Sequence, residues 1–364
     1  MTIGRLVGGL LAMGHRVQLV RPCQHPGETA RGVDGLEELL APGVPIPRYP
    51  GLRAGLPCGR ALKALWLARR PDVVHIATEG LLGWSALRVA KKLGLPVATG
   101  FHTNFHSYSR HYGLGILRRP ITAYLRDFHN ATRATMVPTA SLKAELAQQG
   151  YRNLHVVARG VDTRLFDPGK RDLRLRERWL ATDSTRVALY VGRLAPEKNL
   201  DLVARAFESM QAVDADLRMV WVGDGPARAA LARRYPSHVF VGTRTGGDLA
   251  AHYASADWFL FGSMTETFGN VILEAIASGL AVLAYDYAAA REHMVSGRSG
   301  PLAPLGDEAA FLALARTLVE KRSAVVEMRS AARAAAESVA WHKIIQDYLR
   351  VLQRVIVQGE VHRG

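Results

Sequence analysis

Leu189-Tyr-Val-Gly192-Arg193-Leu-Ala-Pro-Glu-Lys198-Asn199-Leu200 reads as a buried β-strand that runs straight into a loop and a helix. Arg193 and Lys198 leave the strand's carboxyl end, and Asn199 stands where it can cap the helix. Two cations beside a helix N-terminus form an anion site, because backbone N–H groups and the positive dipole end act together with the side-chain charges. Arginine offers a planar fork to phosphate oxygens and lysine a point charge. Two solvated loop cations are the bland alternative. Placement at a strand's carboxyl end favours the site, since ligands of open α/β sheets bind there.

The same grammar extends in both directions. Upstream, β-branched runs at 16–20, 72–77, 96–101, 134–137 and 154–158 alternate with helical stretches at 4–13, 81–93, 114–130 and 141–149. Gly14 suits a helix C-cap and Ser141 an N-cap. Downstream, strands at 186–191, 217–222, 238–241, 258–261 and 281–284 are followed by helices at 199–211, 226–234, 247–254, 269–278 and 307–319. Short apolar strands alternating with helices predict parallel sheets covered on both faces. At 364 residues, two α/β domains are expected. The expected arrangement is 1–165, 166–340 and a final amphipathic helix at 341–364. That helix carries Ile344, Ile345, Tyr348, Leu349, Leu352 and Val355, and either packs on its own domain or crosses back to the first.

Composition excludes several classes. No apolar run reaches the roughly 18 residues of a membrane-spanning helix. The opening Met1-Thr-Ile-Gly-Arg5 lacks the basic segment and apolar core of a secretory leader. Cys23 and Cys58 stand far apart with no CxxC or Cys/His cluster, which fits a reducing cytoplasm and no structural metal. A dinucleotide oxidoreductase would need G-x-G-x-x-G between strand and helix, and no glycine group has that spacing after a strand. Residues 1–171 hold 24 Lys and Arg against 10 Asp and Glu, whereas 172–364 hold 23 against 22. The excess is either compositional or a face for anionic lipid. Nucleic acid is not expected as a partner, because no helix-turn-helix, zinc finger or RNP-like motif accompanies the charge.

A second constellation follows the strand at 258–261. Glu266-Thr-Phe-Gly-Asn-Val-Ile-Leu-Glu274 places two carboxylates around a glycine that opens a helix. Glu274 lies among Val271, Ile272, Leu273, Ala275 and Ile276, where a carboxylate needs partners, and a ribose diol supplies two hydroxyl donors. Glu266, one to two turns earlier, is expected to reach a sugar hydroxyl. The one D-x-D, Asp214-Ala-Asp216, precedes a strand instead of following it, so no metal site is expected.

Gly-Arg-x4-Lys-Asn at 192–199, Gly223-Asp-Gly225-Pro226 and Glu-x7-Glu at 266–274 together resemble the family 4 retaining glycosyltransferases of GT-B fold. The resemblance covers the chain from about Leu10 to Tyr348. It implies two doubly wound Rossmann-like domains facing across a cleft and a nucleotide-sugar as co-substrate. Arg193 and Lys198 would contact the donor diphosphate, Glu274 the ribose and Glu266 the transferred sugar. Backbone groups of Gly192, Gly223, Phe268, Gly269, Asn270 and Val271 would line the donor, and Val241 to Thr245, Thr243 included, would lie beside the base. His102, after the strand at 96–101, would stand near the anomeric centre. The run Phe101-His-Thr-Asn-Phe through Tyr108-Ser-Arg-His-Tyr-Gly113 looks like bacterial GDP-mannose-dependent α-mannosyltransferases and sulfoquinovosyl or glycosyl diacylglycerol transferases. The implied activity is metal-free, retaining hexosyl transfer, from GDP-mannose or a UDP-sugar, to a lipid or glycan acceptor at the inner face of a membrane. Glu79, after the strand at 72–77, faces the acceptor or serves as a helix N-terminal acid.

One departure accompanies the resemblance. Family members open with a strand and a glycine-containing loop, whereas residues 2–13 read as the helix that follows them. Either this sequence is a fragment or has a misassigned start, which is the expectation, or Gly4 to Gly9 partly substitutes for that strand. An inactive nucleotide-sugar-binding protein is the corresponding alternative function.

Overall fold

The computed structural model describes residues 2–46, 53–101, 118–264 and 269–361. They divide into two compact units, one formed by 1–158 with 344–364 and the other by 159–343.

In the first unit the order is α1 (Thr2–Ala12), β1 (Val17–Pro22), β2 (Leu36–Ala41), β3 (Gly43–Pro45), β4 (Arg53–Gly55), α2 (Gly59–Ala68), β5 (Val74–Ile76), α3 (Leu81–Lys92), β6 (Val97–Gly100), α4 (Arg118–Asn130), β7 (Ala134–Val137), α5 (Ala140–Gln148) and β8 (Leu154–Val156). The strands β5-β6-β7-β8 form one parallel sheet, and β1 pairs in parallel with β2 in a separate one. Gly4 to Gly9 lie within α1, so they form no strand and do not replace one. Among the described residues no strand joins β1 to β5. Both strands nevertheless contribute to one core, with Val20 and Leu39 packed against Leu62, Trp66, Val74 and Ile76. Gly14, at φ +82°, ends α1 as expected. The N-cap of α5 is Thr139, not Ser141. The Thr139 hydroxyl accepts from Leu142 N at 3.1 Å, which places Ser141 inside the helix.

The second unit continues with α6 (Leu173–Arg178), β9 (Arg186–Val191), α7 (Leu200–Gln211), β10 (Leu217–Val222), α8 (Arg228–Arg234), β11 (Val239–Gly242), α9 (Gly246–Ser255), β12 (Trp258–Phe261), α10 (Asn270–Ala277), β13 (Ala281–Tyr285), α11 (Ala288–His293), β14 (Leu302–Ala303), α12 (Glu308–Glu320) and α13 (Arg322–Ser338). Its parallel sheet runs β11-β10-β9-β12-β13-β14. Every residue of β9 beyond Arg186 is buried, and β12 and β13 are buried throughout, as a sheet covered on both faces requires. The final helix, α14 (Trp341–Val361), begins in this unit, and from Ile344 onward it belongs to the first. There Tyr348 meets the His75 ring edge-on at 5.2 Å. A Cβ on Gly9 would fall 2.1 Å from Ile345 Cδ1, so α1 approaches α14 where only glycine fits.

Candidate functional site

In the second unit the chain winds outward from β9 in two directions. The strands β10 and β11 lie on one side, and β12, β13 and β14 on the other. The reversal falls between β9 and β12, which pair through Trp258 with Ala188 and Phe259 with Leu189. A crevice opens at the carboxyl ends of two such neighbours, because their loops lead away to opposite sides. The loop after β9 carries Arg193 and Lys198, and the loop after β12 leads to Gly269 and α10.

The first of these loops is held by backbone. Gly192 N donates to Val222 O at 3.0 Å, Leu194 N to Asp224 O at 2.9 Å, and Gly223 N to Gly242 O at 2.9 Å. A Cβ on Gly223 would sit 1.9 Å from Gly192 O, and one on Gly225 2.4 Å from Leu194 O. Glycine is needed there so that adjacent βα turns can touch main chain to main chain. This brings Gly192, Gly223 and the Val241–Gly242 turn together. The Arg193 side chain is 65% exposed, and its ion pair with Glu197 spans 3.8 Å. A contact so long and exposed stabilises by about 0–1 kcal/mol and leaves the guanidinium available to an anion. Lys198 ends a 3₁₀ turn, Pro196–Lys198, and is half-buried. Asn199 occupies the N-cap position of α7 but makes no side-chain cap bond, because its backbone is left-handed at φ +52°. Asparagine suits this corner through its tolerance of that conformation.

Across the switch point, Gly269 is the left-handed N-cap of α10 at φ +90°. It puts the amides of Asn270 and Val271 at the helix N-terminus, where dipole and unpaired N–H groups favour an anion. Glu274 follows one turn later, with Ile272, Leu273, Ala275 and Ile276 buried around it. The hydroxyl of Tyr253, on α9, donates to Glu274 Oε2 at 3.0 Å. Burial pushes the Glu274 carboxyl up to about 7, and the Tyr253 bond opposes that rise. The same burial and the neighbouring carboxylate lift the Tyr253 phenol well above its usual range. Thr243 is exposed, and the Arg244 guanidinium closes its turn by donating to Val241 O at 2.6 Å. His102, Glu266 and Phe268 lie outside the described residues.

Two participants escape sequence reasoning. Tyr253 is one; only its position on the buried face of α9 hints at it. The turn Tyr287–Ala290 is the other. It lines a small cavity with Phe261, Ser263, Gly269 and Tyr285, so the starts of α10 and α11 converge. Ala288 adopts φ +50° there, a conformation that is uncommon for a residue with a Cβ.

Residues 1–165 match the family described as Glycosyltransferase Family 4, and residues 185–321 match Glycosyl transferases group 1. The GDP-mannose-dependent alpha-mannosyltransferase of Mycobacterium tuberculosis is 36% identical over 84% of this chain and 80% of its own length. The chain is a family 4 glycosyltransferase.

Other relatives of this glycosyltransferase include the sulfoquinovosyl transferase SQD2 of Arabidopsis thaliana, 29% identical over 82% of this chain and 59% of its own. Among solved structures, sucrose-phosphate synthase of Thermosynechococcus elongatus superposes with a TM-score of 0.81 at 17% identity, covering 98% and 93% of the two chains. HepE of Anabaena, solved with UDP, superposes with a TM-score of 0.70 at 19% identity, covering 88% and 87%. These likenesses identify the fold as GT-B, as the motifs implied. No described helix is long and apolar enough to cross a membrane.

Proposed function

We propose that this glycosyltransferase moves mannose from GDP-mannose to a lipid or lipid-linked acceptor, with retention and without a metal ion. The observation that carries the reading is the pairing across the switch point. Arg193 and Lys198 follow β9, and the α10 N-terminus with Glu274 follows β12. A nucleoside diphosphate-sugar has the matching charges in the matching order. Its diphosphate meets the two cations and the helix amides, and its ribose diol donates to Glu274. As the bond from sugar C1 to the phosphate oxygen breaks, the electron pair stays on the diphosphate, the acceptor hydroxyl oxygen bonds C1 on the same face, and its proton passes to the leaving phosphate. Arg193, Lys198 and the amides of Asn270 and Val271 then face more negative charge than in the ground state, which lowers the barrier. Roles at the sugar are proposed for His102, Glu266 and Phe268 on the motif resemblance alone. Val241 and Thr243 are the proposed neighbours of the base.

The mannose reading is supported by the 36% identity to a relative named for GDP-mannose. A UDP-sugar acting on diacylglycerol is favoured instead by likeness to the alpha-monoglucosyldiacylglycerol synthase of Streptococcus pneumoniae, 28% identical over 61% of this chain. The proposed location is cytoplasmic, on the inner face of a membrane. Thermal shift with GDP and UDP, followed by incubation of labelled GDP-mannose and UDP-glucose with extracted lipid, tests the reading. Stabilisation by GDP and labelled lipid from GDP-mannose are expected. Labelled lipid from UDP-glucose alone moves the assignment to the second donor. Stabilisation by neither nucleotide overturns the diphosphate site.

A further inference from the structure

Among the described residues of the first unit, Glu79 is a buried carboxylate that the donor site does not use. Glu79 leaves β5 just before α3 and is 7% exposed. Its Oε1 lies 3.3 Å from Nε2 of His129, a residue of α4 with no exposed surface. The other imidazole nitrogen, Nδ1, lies 2.9 Å from Thr99 Oγ1 on β6. Thr99 in turn meets the Thr135 hydroxyl at 3.1 Å and Ala134 O at 3.3 Å. When the Thr99 hydroxyl donates to Nδ1, the Nε2–H of the neutral imidazole donates to Glu79 Oε1.

The backbone is clamped as firmly as the side chain. Tyr124 OH, also on α4, donates to Glu79 O at 2.5 Å. Gly83 holds the loop from the other side, since a Cβ there would come 2.1 Å from Thr78 O. Phe101, Phe128 and Tyr151 surround the imidazole with ring centroids 5.3, 5.4 and 6.0 Å away. A helix N-terminal acid that only answered the α3 dipole would need none of this. Glu79 Oε2 has no hydrogen-bond partner among the described residues, and the side chain keeps 8% of its surface exposed. It lies at the carboxyl end of β5, the edge at which such sheets receive ligands.

We propose that Glu79 is an acceptor-binding carboxylate, with Oε1 fixed by His129 and Oε2 left to accept a hydrogen bond from a hydroxyl of the acceptor. A fixed acceptor-only group selects a hydroxyl donor and disfavours a phosphate or carboxylate at the same place. The recognised part of the acceptor is therefore a neutral polyhydroxyl headgroup such as a sugar, glycerol or inositol. His129 and Thr99 are positioning residues. The inference rests on the transferase reading above and extends it to the acceptor.

The test compares wild type with Glu79→Gln, Glu79→Asp and His129→Ala, using the donor and lipid extract that yield product above. The readouts are acceptor KM, hydrolysis of the donor by water, melting temperature and the GDP-induced thermal shift. Glu79→Gln keeps shape and loses the charge-assisted acceptor. Acceptor KM should rise about tenfold to a hundredfold while donor hydrolysis and the GDP shift stay at wild-type values. Glu79→Asp should recover part of the loss, and His129→Ala should raise acceptor KM with the GDP shift intact. Wild-type acceptor KM in Glu79→Gln overturns the proposal. So does a parallel fall of hydrolysis, transfer and melting temperature, which marks a structural carboxylate. A wild-type protein that GDP does not stabilise refutes the donor reading instead, so the two failures are distinguishable.

Discussion

Tyr253 donates its hydroxyl to Glu274 at 3.0 Å, from a position with no exposed surface, yet the carboxyl remains raised to about 7. Desolvation outweighs that single hydrogen bond, so without nucleotide the carboxyl group is ionised to about half near neutrality. Two ribose hydroxyls would favour the ionised form. Nucleotide binding should therefore release a proton, and affinity should climb as pH rises to 7 and level off above it. At pH 6 the affinity for GDP should be about tenfold below its plateau. Calorimetric titration in buffers of different ionisation enthalpy measures the proton directly. A flat affinity between pH 6 and 8 would contradict the role given to Glu274.

The same shift has a consequence for stability. Between the ordinary carboxyl value of 4.5 and about 7, the folded state holds the Glu274 proton more tightly than the unfolded chain. Folding stability from this group is thus fully present below 4.5 and declines as pH rises through 7. The decline is on the order of 2–3 kcal/mol at most, because the side chain is not wholly sealed. Glu274→Gln should be more stable than wild type at pH 8 and nearly equal at pH 5, by chemical denaturation at both values. An unstabilised variant at pH 8 would show that Glu274 finds compensation elsewhere.

Arg193→Ala and Lys198→Ala should each weaken GDP binding by about tenfold to a hundredfold, the range of a charge-assisted hydrogen bond. Guanosine lacks phosphates, so its binding should not respond to either change. Arg193→Lys keeps the charge but loses the fork, and only partial recovery is expected. Equal losses for GDP and guanosine would mean that the loop, not the charge, had been damaged.

Two glycines should respond to alanine with opposite sign. Gly223 combines φ +139° with a Cβ that would strike Gly192 O, so Gly223→Ala should destabilise by at least about 2–3 kcal/mol. Gly8 lies in α1 with nothing within 4 Å of the new Cβ. Gly8→Ala should stabilise by roughly 0.5–1 kcal/mol. Melting temperatures of the two variants decide the matter, and a tolerated Gly223→Ala would mean that the β9 and β10 turns separate easily.

Much of the second unit was legible because its strands are uniformly apolar. The expected ranges at 186–191, 217–222 and 258–261 coincide with β9, β10 and β12. β2 was not legible, since Leu-Glu-Glu-Leu-Leu-Ala places two acids in mid-strand. Glu38 is tolerated there because Arg21, on β1, bonds it at 2.7 Å, a partner no local pattern announces. α6 was hidden in a polar stretch for a similar reason. Its Arg176 is buried, donates to Ser255 O, Thr182 O and Thr185 O, and faces Asp257 at 3.4 Å. In the site, Arg193, Lys198 and Glu274 announced themselves by charge beside apolar runs. Tyr253 and the Ala288 turn did not, because their contribution depends on which helices meet.

The unequal charge of the two halves bears on where the enzyme works. The first unit, 1–158 with 344–364, holds 23 Lys and Arg against 10 Asp and Glu, and 159–343 holds 24 against 22, so attraction to an anionic surface would act through the first unit. Each basic residue near such a surface contributes about 1 kcal/mol, and salt screens it within about 10 Å at 0.1 M. The protein should sediment with vesicles of mixed phosphatidylglycerol and phosphatidylcholine at low salt, and be released as salt rises. Vesicles of phosphatidylcholine alone should not retain it. Replacing Lys91 and Lys92, in the last turn of α3, with Gln should weaken retention by about tenfold while leaving the GDP thermal shift unchanged, because neither lysine lies in the second unit, where the diphosphate site is proposed. Retention equal on neutral and anionic vesicles would assign the basic excess to composition and remove the membrane from the proposed reaction.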